Sequence, residues 1–389
     1  MIKTTIITLA ATCLFAASSF GEMRTWTNTQ GKTMEAEFVS LDKDKVSLTT
    51  KAGKKVKIPI KSLSQEDQDF IKEQTAEKAP KLGHNYDNEW PKTTKVVEGF
   101  EAEMIQEGPD EYIYETPHFK FICDTKIGKS VIKQLALLFE ATHEANRCIP
   151  IGNIRAHRKD LKFPAYLYEK QSDYLDKGGM EGSAGIFMGN SNPNDAGKTL
   201  VPFDSLGVKK AGKSYIVDRS KSSRTLIHEL THQLMTYNSK LAGWFCEGSA
   251  EYIANTPYIN GKFNFAGNKK AIISFATGFD KKYGAGRNLG DNLKAPELES
   301  FMTMPYSTFT GDNANFNYGF SLLLVYYWYH LDGDGDAKRI KEYIKALDAG
   351  KTPLQANELL LDGRTYSELE KEIQQKWRKN GIKITFGDN

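Results

Sequence analysis

Residues 76–99 carry Lys, Glu, Pro and polar side chains with almost no hydrophobic periodicity, and this break constrains the fold more than any other feature. A segment that cannot bury an apolar face reads as a linker. It divides the chain into two bodies, each of which must build its own core. At 389 residues the chain is also longer than one compact core usually holds.

Ahead of the break the pattern is β-like. The runs "RTWTNTQGK", "EAEFVSL", "KVSLTT" and "KKVKIPI" have strand length and are rich in β-branched and aromatic residues. The turns "DKDK" and "KAGKK" separate the later ones, and Val56, Ile58 and Ile60 alternate with polar residues as a half-buried strand requires. "SLSQEDQDFIKEQ" then predicts a helix with Ser64 as N-cap and Glu66 and Asp67 in its first turn. Residues 22–75 form this module. On "RTWT" (24–27), "AEFVSL" (36–41) and "IPIKSLSQEDQDFI" (58–71) it resembles the Sla-homology domain 1 family. The resemblance implies a small SH3-like β-barrel. Because the eukaryotic relatives bind short peptides, it also implies a peptide or protein partner, with a passive accessory barrel as the alternative.

The first 21 residues are set apart by Lys3, the apolar run "TTIITLAATCLFAA" and the small residues Ser19 and Gly21. They read as a secretory signal cleaved before Glu22, which makes the mature protein exported, secreted or periplasmic, with no membrane span. Cys13 leaves with the signal. Cys123, Cys148 and Cys246 remain, too few for a disulfide framework. A helix between Cys123 and Cys148 holds them roughly 28 Å apart, beyond bridging distance. A net charge of +3 spread along the chain gives no case for a nucleic-acid partner.

Residues 100–389 read as one larger α+β domain. "HFKFICD", "FPAYLYE", "SAGIFMGN" and "KSYIVDRS" are strand candidates, with a helix from about Lys129 to Arg147 among them. After Tyr318 the pattern is mostly helical, with turns at "DGDGD", "AGKTP" and "LDGRT".

The chemistry is concentrated in "RTLIHELTHQLM", residues 224–235. Side chains four apart share a helix face, so His228 and His232 aim both imidazoles at one point. Glu229 lies about 100° round the helix from His228, able to reach a water without occupying the metal. A buried core helix could spell the same letters, but ionisable groups on its inner face are costly unless paired or metal-bound. A catalytic zinc needs a third protein ligand. "GWFCEGSAEYIA", residues 243–254, supplies Glu247 and Glu251, again four apart. The linking stretch is long enough to end one helix, turn at "NSKLAG" and start an antiparallel one.

Together "RTLIHELTHQLM" and "WFCEGSAEY" resemble a gluzincin, the His-Glu-x-x-His metallopeptidases whose third ligand is a glutamate, in the bacterial branch with a W-x-x-E-G-x-A-E-Y helix. The resemblance implies a zincin-like domain with a mixed sheet, Zn2+ held by His228, His232 and Glu247, and Glu229 as base. Glu251 is the weaker candidate for third ligand. A peptide or protein substrate is implied too. The interval to Glu247 is shorter than in thermolysin-like and aminopeptidase members, and the G-A-M-E-N substrate motif is absent, so no exopeptidase activity is inferred. The metzincin continuation, with its glycine and third histidine, is also missing. Tyr318 is the candidate oxyanion donor, with His330 behind it; their alternatives are a packed ring and a helix C-terminal cation.

Two other readings stay open. One is a non-catalytic binding or adaptor protein with a structural or lost metal, and the other a zinc hydrolase of non-peptide amides. "AGIFMG", residues 184–189, reads as a sheet strand, with an edge for an extended peptide as the alternative. "DGDGDAK", residues 332–338, starts like a calcium loop but lacks the later Gly and Glu, and reads as a solvated turn. His84, His118, His143 and His157 show no metal spacing.

Overall fold

The computed structural model describes residues 23–387, apart from 43, 76–84, 95–98, 110, 152–154, 159, 182, 190–194, 219–220, 236–240 and 281–284. The expected signal, residues 1–21, and His84 lie outside the described residues, as does the side chain of His157. No described helix is long and apolar enough to cross a membrane. The chain divides into two compact units, Met1–Lys81 and Leu82–Asn389.

The first unit is a meander of β1 (Met23–Thr27), β2 (Thr33–Asp42), β3 (Lys45–Thr50) and β4 (Lys55–Pro59), followed by α1 (Gln65–Thr75). Each strand pairs antiparallel with the next. Its core is Trp26, Ala36, Val46, Leu48, Leu63 and Ile71. The indole of Trp26 donates to the Ala36 carbonyl at 2.9 Å, which satisfies its one polar atom inside that core. Ser64 caps α1 by accepting from the Asp67 amide at 3.2 Å. Asp67 is 2% exposed and binds Arg24 at 2.6 Å, tying the helix to the first strand. The expected closed barrel is not formed among the described residues. Pro59 ends β4 and the chain turns into a short 3-10 segment at Ile60–Ser62. The edge of the first strand is met instead by the Asn28–Leu63 bridge and by the Ser64 amide on the Thr27 carbonyl at 2.8 Å.

The larger unit opens with residues 85–94, expected in the linker but packed as part of this unit. Asn85 donates to the Arg147 carbonyl at 2.8 Å, Trp90 packs on His330 at 4.5 Å between centroids, and the Thr94 amide bonds the Phe263 carbonyl at 3.0 Å. All these partners lie far along the chain, so local periodicity carried no trace of them.

Next come β5 (Glu103–Glu107), β6 (Tyr112–Glu115), β7 (Phe119–Cys123), α2 (Lys129–Cys148), β8 (Phe163–Tyr168), α3 (Gln171–Asp176), β9 (Ile186–Met188) and β10 (Lys198–Pro202). The six strands make one mixed sheet in the order β5-β6-β7-β8-β10-β9. The central pairs β7–β8 and β8–β10 are parallel, and β9 runs antiparallel to β10 at the edge. A hairpin, β11 (Val208–Ala211) and β12 (Ser214–Val217), leads to α4 (Arg224–Met235) and α5 (Gly243–Ala254). Phe119, Phe121 and Leu167 of the sheet share a core with Phe139 of α2 and Leu226, Leu230 and Leu234 of α4.

The remaining chain is mostly helical. A small hairpin, β13 (Tyr258–Ile259) with β14 (Lys262–Phe263), precedes α6 (Asn268–Thr277), β15 (Asn292–Ala295), α7 (Leu298–Met302) and α8 (Tyr306–Phe309). Then follow α9 (Ala314–His330), α10 (Lys338–Asp348), α11 (Pro353–Leu361), α12 (Tyr366–Arg378) and β16 (Lys383–Phe386), which pairs parallel with β15. The second core gathers Trp244 and Tyr252 of α5, the apolar run of α9 and Trp377 of α12. The helices α4 and α5 therefore join a sheet-based half to a helical half. Cys123, Cys148 and Cys246 are all free thiols. Asp332, expected in a solvated turn, is 3% exposed and bonds Arg339 at 2.8 Å, so the "DGDGD" stretch anchors two helices through an ion pair.

Candidate metal centre

Two helices build the centre. His228 and His232 lie one turn apart on α4, and α5 runs antiparallel beside it, as the pairings show. His232 meets Cys246 and Glu247 from the start of α5, and His228 meets Glu247 and Glu251 one turn later. The close approach of α5 to its other neighbour is allowed by Gly248, where an added Cβ would lie 2.5 Å from the Ser321 carbonyl of α9.

The donor atoms converge. His228 Nε2 is 3.0 Å from His232 Nε2, and Glu247 Oε2 is 3.1 Å from the first and 3.2 Å from the second. Zinc bonds of 2.0–2.1 Å in a tetrahedral arrangement place neighbouring ligand atoms about 3.3 Å apart. The triangle therefore fits three corners of a zinc tetrahedron. Burial works against a charge on His232, yet the Glu247 carboxylate and the Cys246 thiol hold its pKa well above the ordinary imidazole value. Burial likewise works against a charge on Glu247, but His232 and His228 hold it well below the usual carboxylate range. The three atoms are thus arranged around a positive charge, which a proton or a metal ion can supply.

An outer layer fixes these side chains. Cys246 Sγ is 3.6 Å from His232 Nδ1, and Glu251 Oε1 is 3.7 Å from His228 Nδ1. These contacts hold both imidazoles with Nε2 facing inward. Glu251 stands outside the triangle of donors. Arg287 pairs with its Oε1, and Asn255 donates to its Oε2 at 2.8 Å. Of the two glutamates, Glu247 is the one that shares the triangle with the imidazoles, and Glu251 packs against Arg287 and Asn255. Tyr306, which no sequence pattern singled out, donates its hydroxyl to Glu247 Oε1 at 2.7 Å, although the residue as a whole is 55% exposed.

Glu229 points elsewhere on α4, accepting from the Phe187 amide of the edge strand β9 at 2.9 Å. Tyr318, in the second turn of α9, stacks on His228 with centroids 6.0 Å apart. Burial, reinforced by the Glu247 charge, raises the pKa of both Tyr306 and Tyr318, so both phenols stay protonated donors. His330 does not stand behind Tyr318. It lies twelve residues further along the same helix, about 18 Å away, and its Nε2 bonds the Tyr252 hydroxyl at 2.7 Å. Burial pushes its pKa down to about 4, so it is a neutral core histidine and not a helix-terminal cation.

A second group, His118, Glu140 and His143, also brings three donor types together. Glu140 is already bonded by the Thr116 hydroxyl at 2.6 Å and by His118 Nδ1 at 2.6 Å. The two imidazoles are stacked at 3.7 Å and 15°, so their in-plane lone pairs run parallel instead of converging. This group is a hydrogen-bonded clasp between the β6–β7 turn and α2.

Residues 17–79 match the family model described as SLA1 homology domain 1, SHD1. The first unit is therefore similar to that family, in agreement with the motifs at Arg24–Thr27 and Ile58–Ile71. No curated protein matches the chain.

Proposed function

We propose that the larger unit is a zinc-dependent metallopeptidase of the gluzincin type, which hydrolyses peptide bonds in an exported protein. The observation that carries this reading is the triangle of His228 Nε2, His232 Nε2 and Glu247 Oε2 at 3.0–3.2 Å, with Glu229 beside it and bonded elsewhere. A purely structural site has no use for that additional carboxylate.

His228, His232 and Glu247 would hold Zn2+, which would supply Lewis acidity and acidify a water towards neutral pH. Glu229 is the base. With Oε2 held by the Phe187 amide, Oε1 is the oxygen that takes the proton of the attacking water and returns it to the leaving amine. The Tyr318 hydroxyl is the donor to the oxyanion. The edge of β9, placed beside Glu229 by that same hydrogen bond, is where an extended peptide substrate aligns its main chain. The N-terminal unit is proposed to dock a peptide or protein partner.

Zinc per chain, measured on the purified protein and on Glu247→Ala, tests the site. About one zinc in the parent and its loss in the variant support the reading. Hydrolysis of a peptide library then tests the chemistry. Glu229→Gln is expected to keep its zinc and lose roughly a hundred- to ten-thousand-fold in rate. A parent that holds zinc and cleaves no peptide leaves the two other readings, an adaptor or a hydrolase of non-peptide amides. A parent without zinc removes the enzyme reading altogether.

A further inference from the structure

The edge strand β9 has a main chain and two faces that are assigned separately. Ile186, Phe187 and Met188 stand opposite Leu200, Thr199 and Lys198 of β10, and no described strand pairs with β9 on its other side. The Phe187 amide bonds Glu229, so it points away from β10. In an antiparallel ladder the N–H and C=O of one residue face the same side, so the Phe187 carbonyl is an acceptor on the open edge. Thr199, across from Phe187, bonds Gln233 of α4 at 3.0 Å, which places Phe187 on the α4 face. Ile186 and Met188 therefore lie on the opposite, outer face.

That outer face is apolar. Ile186 packs beside Tyr174 of α3 and Leu200 of β10. Met188 is 37% exposed, and its Cε lies 3.4 Å from where a Cβ would stand on Gly178, so its side chain rests on the turn after α3. The Gly179 amide closes that turn on the Tyr174 carbonyl at 2.9 Å, and Leu175 and Met180 on either side of it are exposed. Lys198, the charged residue across from Met188, holds its ammonium 5.7 Å over the Tyr166 ring of β8. Because β8 lies on the far side of β10, that charge leans away from β9.

The other edge of the same sheet is built differently. There β5 carries Glu103 and Glu107, and a bulge falls between Met104 and Gln106. Charges and bulges are how an edge refuses a further strand. Among its three residues β9 has neither, so it is the edge that accepts one.

We propose that the outer face of β9 selects the substrate, taking extended peptides that carry apolar side chains two positions apart. The inference rests on the metallopeptidase reading, from which it takes the alignment of the peptide along β9. One peptide N–H bonds the Phe187 carbonyl. Side chains of an added strand alternate between the faces, so the residues before and after the one opposite Phe187 stand across from Ile186 and Met188. Leucine, methionine or phenylalanine at those two places buries apolar surface that is otherwise wet. The unbranched Met188 adapts to each of them. The peptide residue between them faces α4 and escapes this selection. Such a period-two pattern is that of a half-buried strand, so the substrate class is an unfolded chain and not a surface loop.

Two fluorescent threonine-rich peptides of identical composition test it, one with its two leucines two positions apart and one with them four apart, so that only one leucine meets the strand. Anisotropy reads their binding to the full chain carrying Glu229→Gln, which leaves the peptides uncut. The first peptide is expected to bind about five- to tenfold more tightly than the second. Adding Met188→Glu is expected to remove that advantage and Met188→Leu to keep it. Met104→Glu, the same change on the β5 edge, is expected to leave it unaltered. Equal binding of the two peptides, or an advantage that Met188→Glu spares, overturns the proposal. Cleavage by the zinc-loaded parent is read separately. A parent that cuts both peptides equally well overturns the selection and keeps the metallopeptidase reading. Binding with the expected advantage and no cutting of either supports the selection and overturns that reading.

Discussion

Glu247 is shared between two demands: Oε2 faces the two imidazoles, and Oε1 accepts from Tyr306 at 2.7 Å. That second bond fixes the carboxylate plane and leaves Oε2 free for the proposed metal. Tyr306→Phe is expected to lower zinc affinity by about ten- to a hundred-fold while the fold is retained, as removal of an outer partner commonly does. Competition with a fluorescent chelator measures this, and unchanged affinity would show the bond to be incidental. His330 gives a pH prediction of a different kind. Its pKa is about 4 in the folded chain against an ordinary value near 6.5, so the unfolded chain takes up the proton first as pH falls. The stability held by the neutral ring is complete above about pH 6.5 and is lost progressively down to about pH 4. The loss amounts to about 3 kcal/mol. Urea unfolding across that window should show the slope, and His330→Gln should flatten it.

At the scale of elements, the site depends on how closely α5 is held between α4 and α9. Gly248 is the point of closest approach, with the Ser321 carbonyl and the Val325 side chain at 2.5 and 2.6 Å from where a Cβ would stand. Gly248→Ala forces α5 away from α9 and disturbs Glu247 beside it. The expected cost is about 1–3 kcal/mol of stability, with weaker zinc binding alongside. Thermal unfolding and metal titration on the same sample check both. If stability falls while zinc binding is intact, the position of α5 is not what sets the donor triangle. The glycine in "CEGSAEY" was visible as a letter, but its role was not, because the partner helix begins more than sixty residues later.

Over the whole molecule, two units with separate cores carry separate consequences. In the first unit Asp67 is 2% exposed and holds Arg24 at 2.6 Å and the Thr27 amide at 2.5 Å. Asp67→Ala strands the partly buried arginine, and the expected destabilisation of that unit is about 3 kcal/mol. Zinc content should not change, since every proposed ligand lies in the other unit. Conversely, adding zinc should raise the unfolding temperature of the larger unit alone, because a ligand stabilises only the body that binds it. Scanning calorimetry of parent and variant, each with and without zinc, separates the two effects. A single transition that shifts as one in all four samples would overturn this expectation.

The sequence by itself determined whatever depends on local spacing. The period-two runs and the Ser64 cap defined the N-terminal strands and helix. The four-residue spacing put His228 and His232 on one face and Glu247 and Glu251 on another. Helix and strand periods are properties of consecutive residues, so they survive in a one-dimensional reading. Only the tertiary structure decided which glutamate enters the donor triangle and that Tyr306 braces it. It also decided that His330 is a core residue far from Tyr318, and that residues 85–94 pack into the larger unit. It left the first sheet an open meander and not a closed barrel. Each of these rests on partners far apart in the chain, where no periodicity records which side chains will meet.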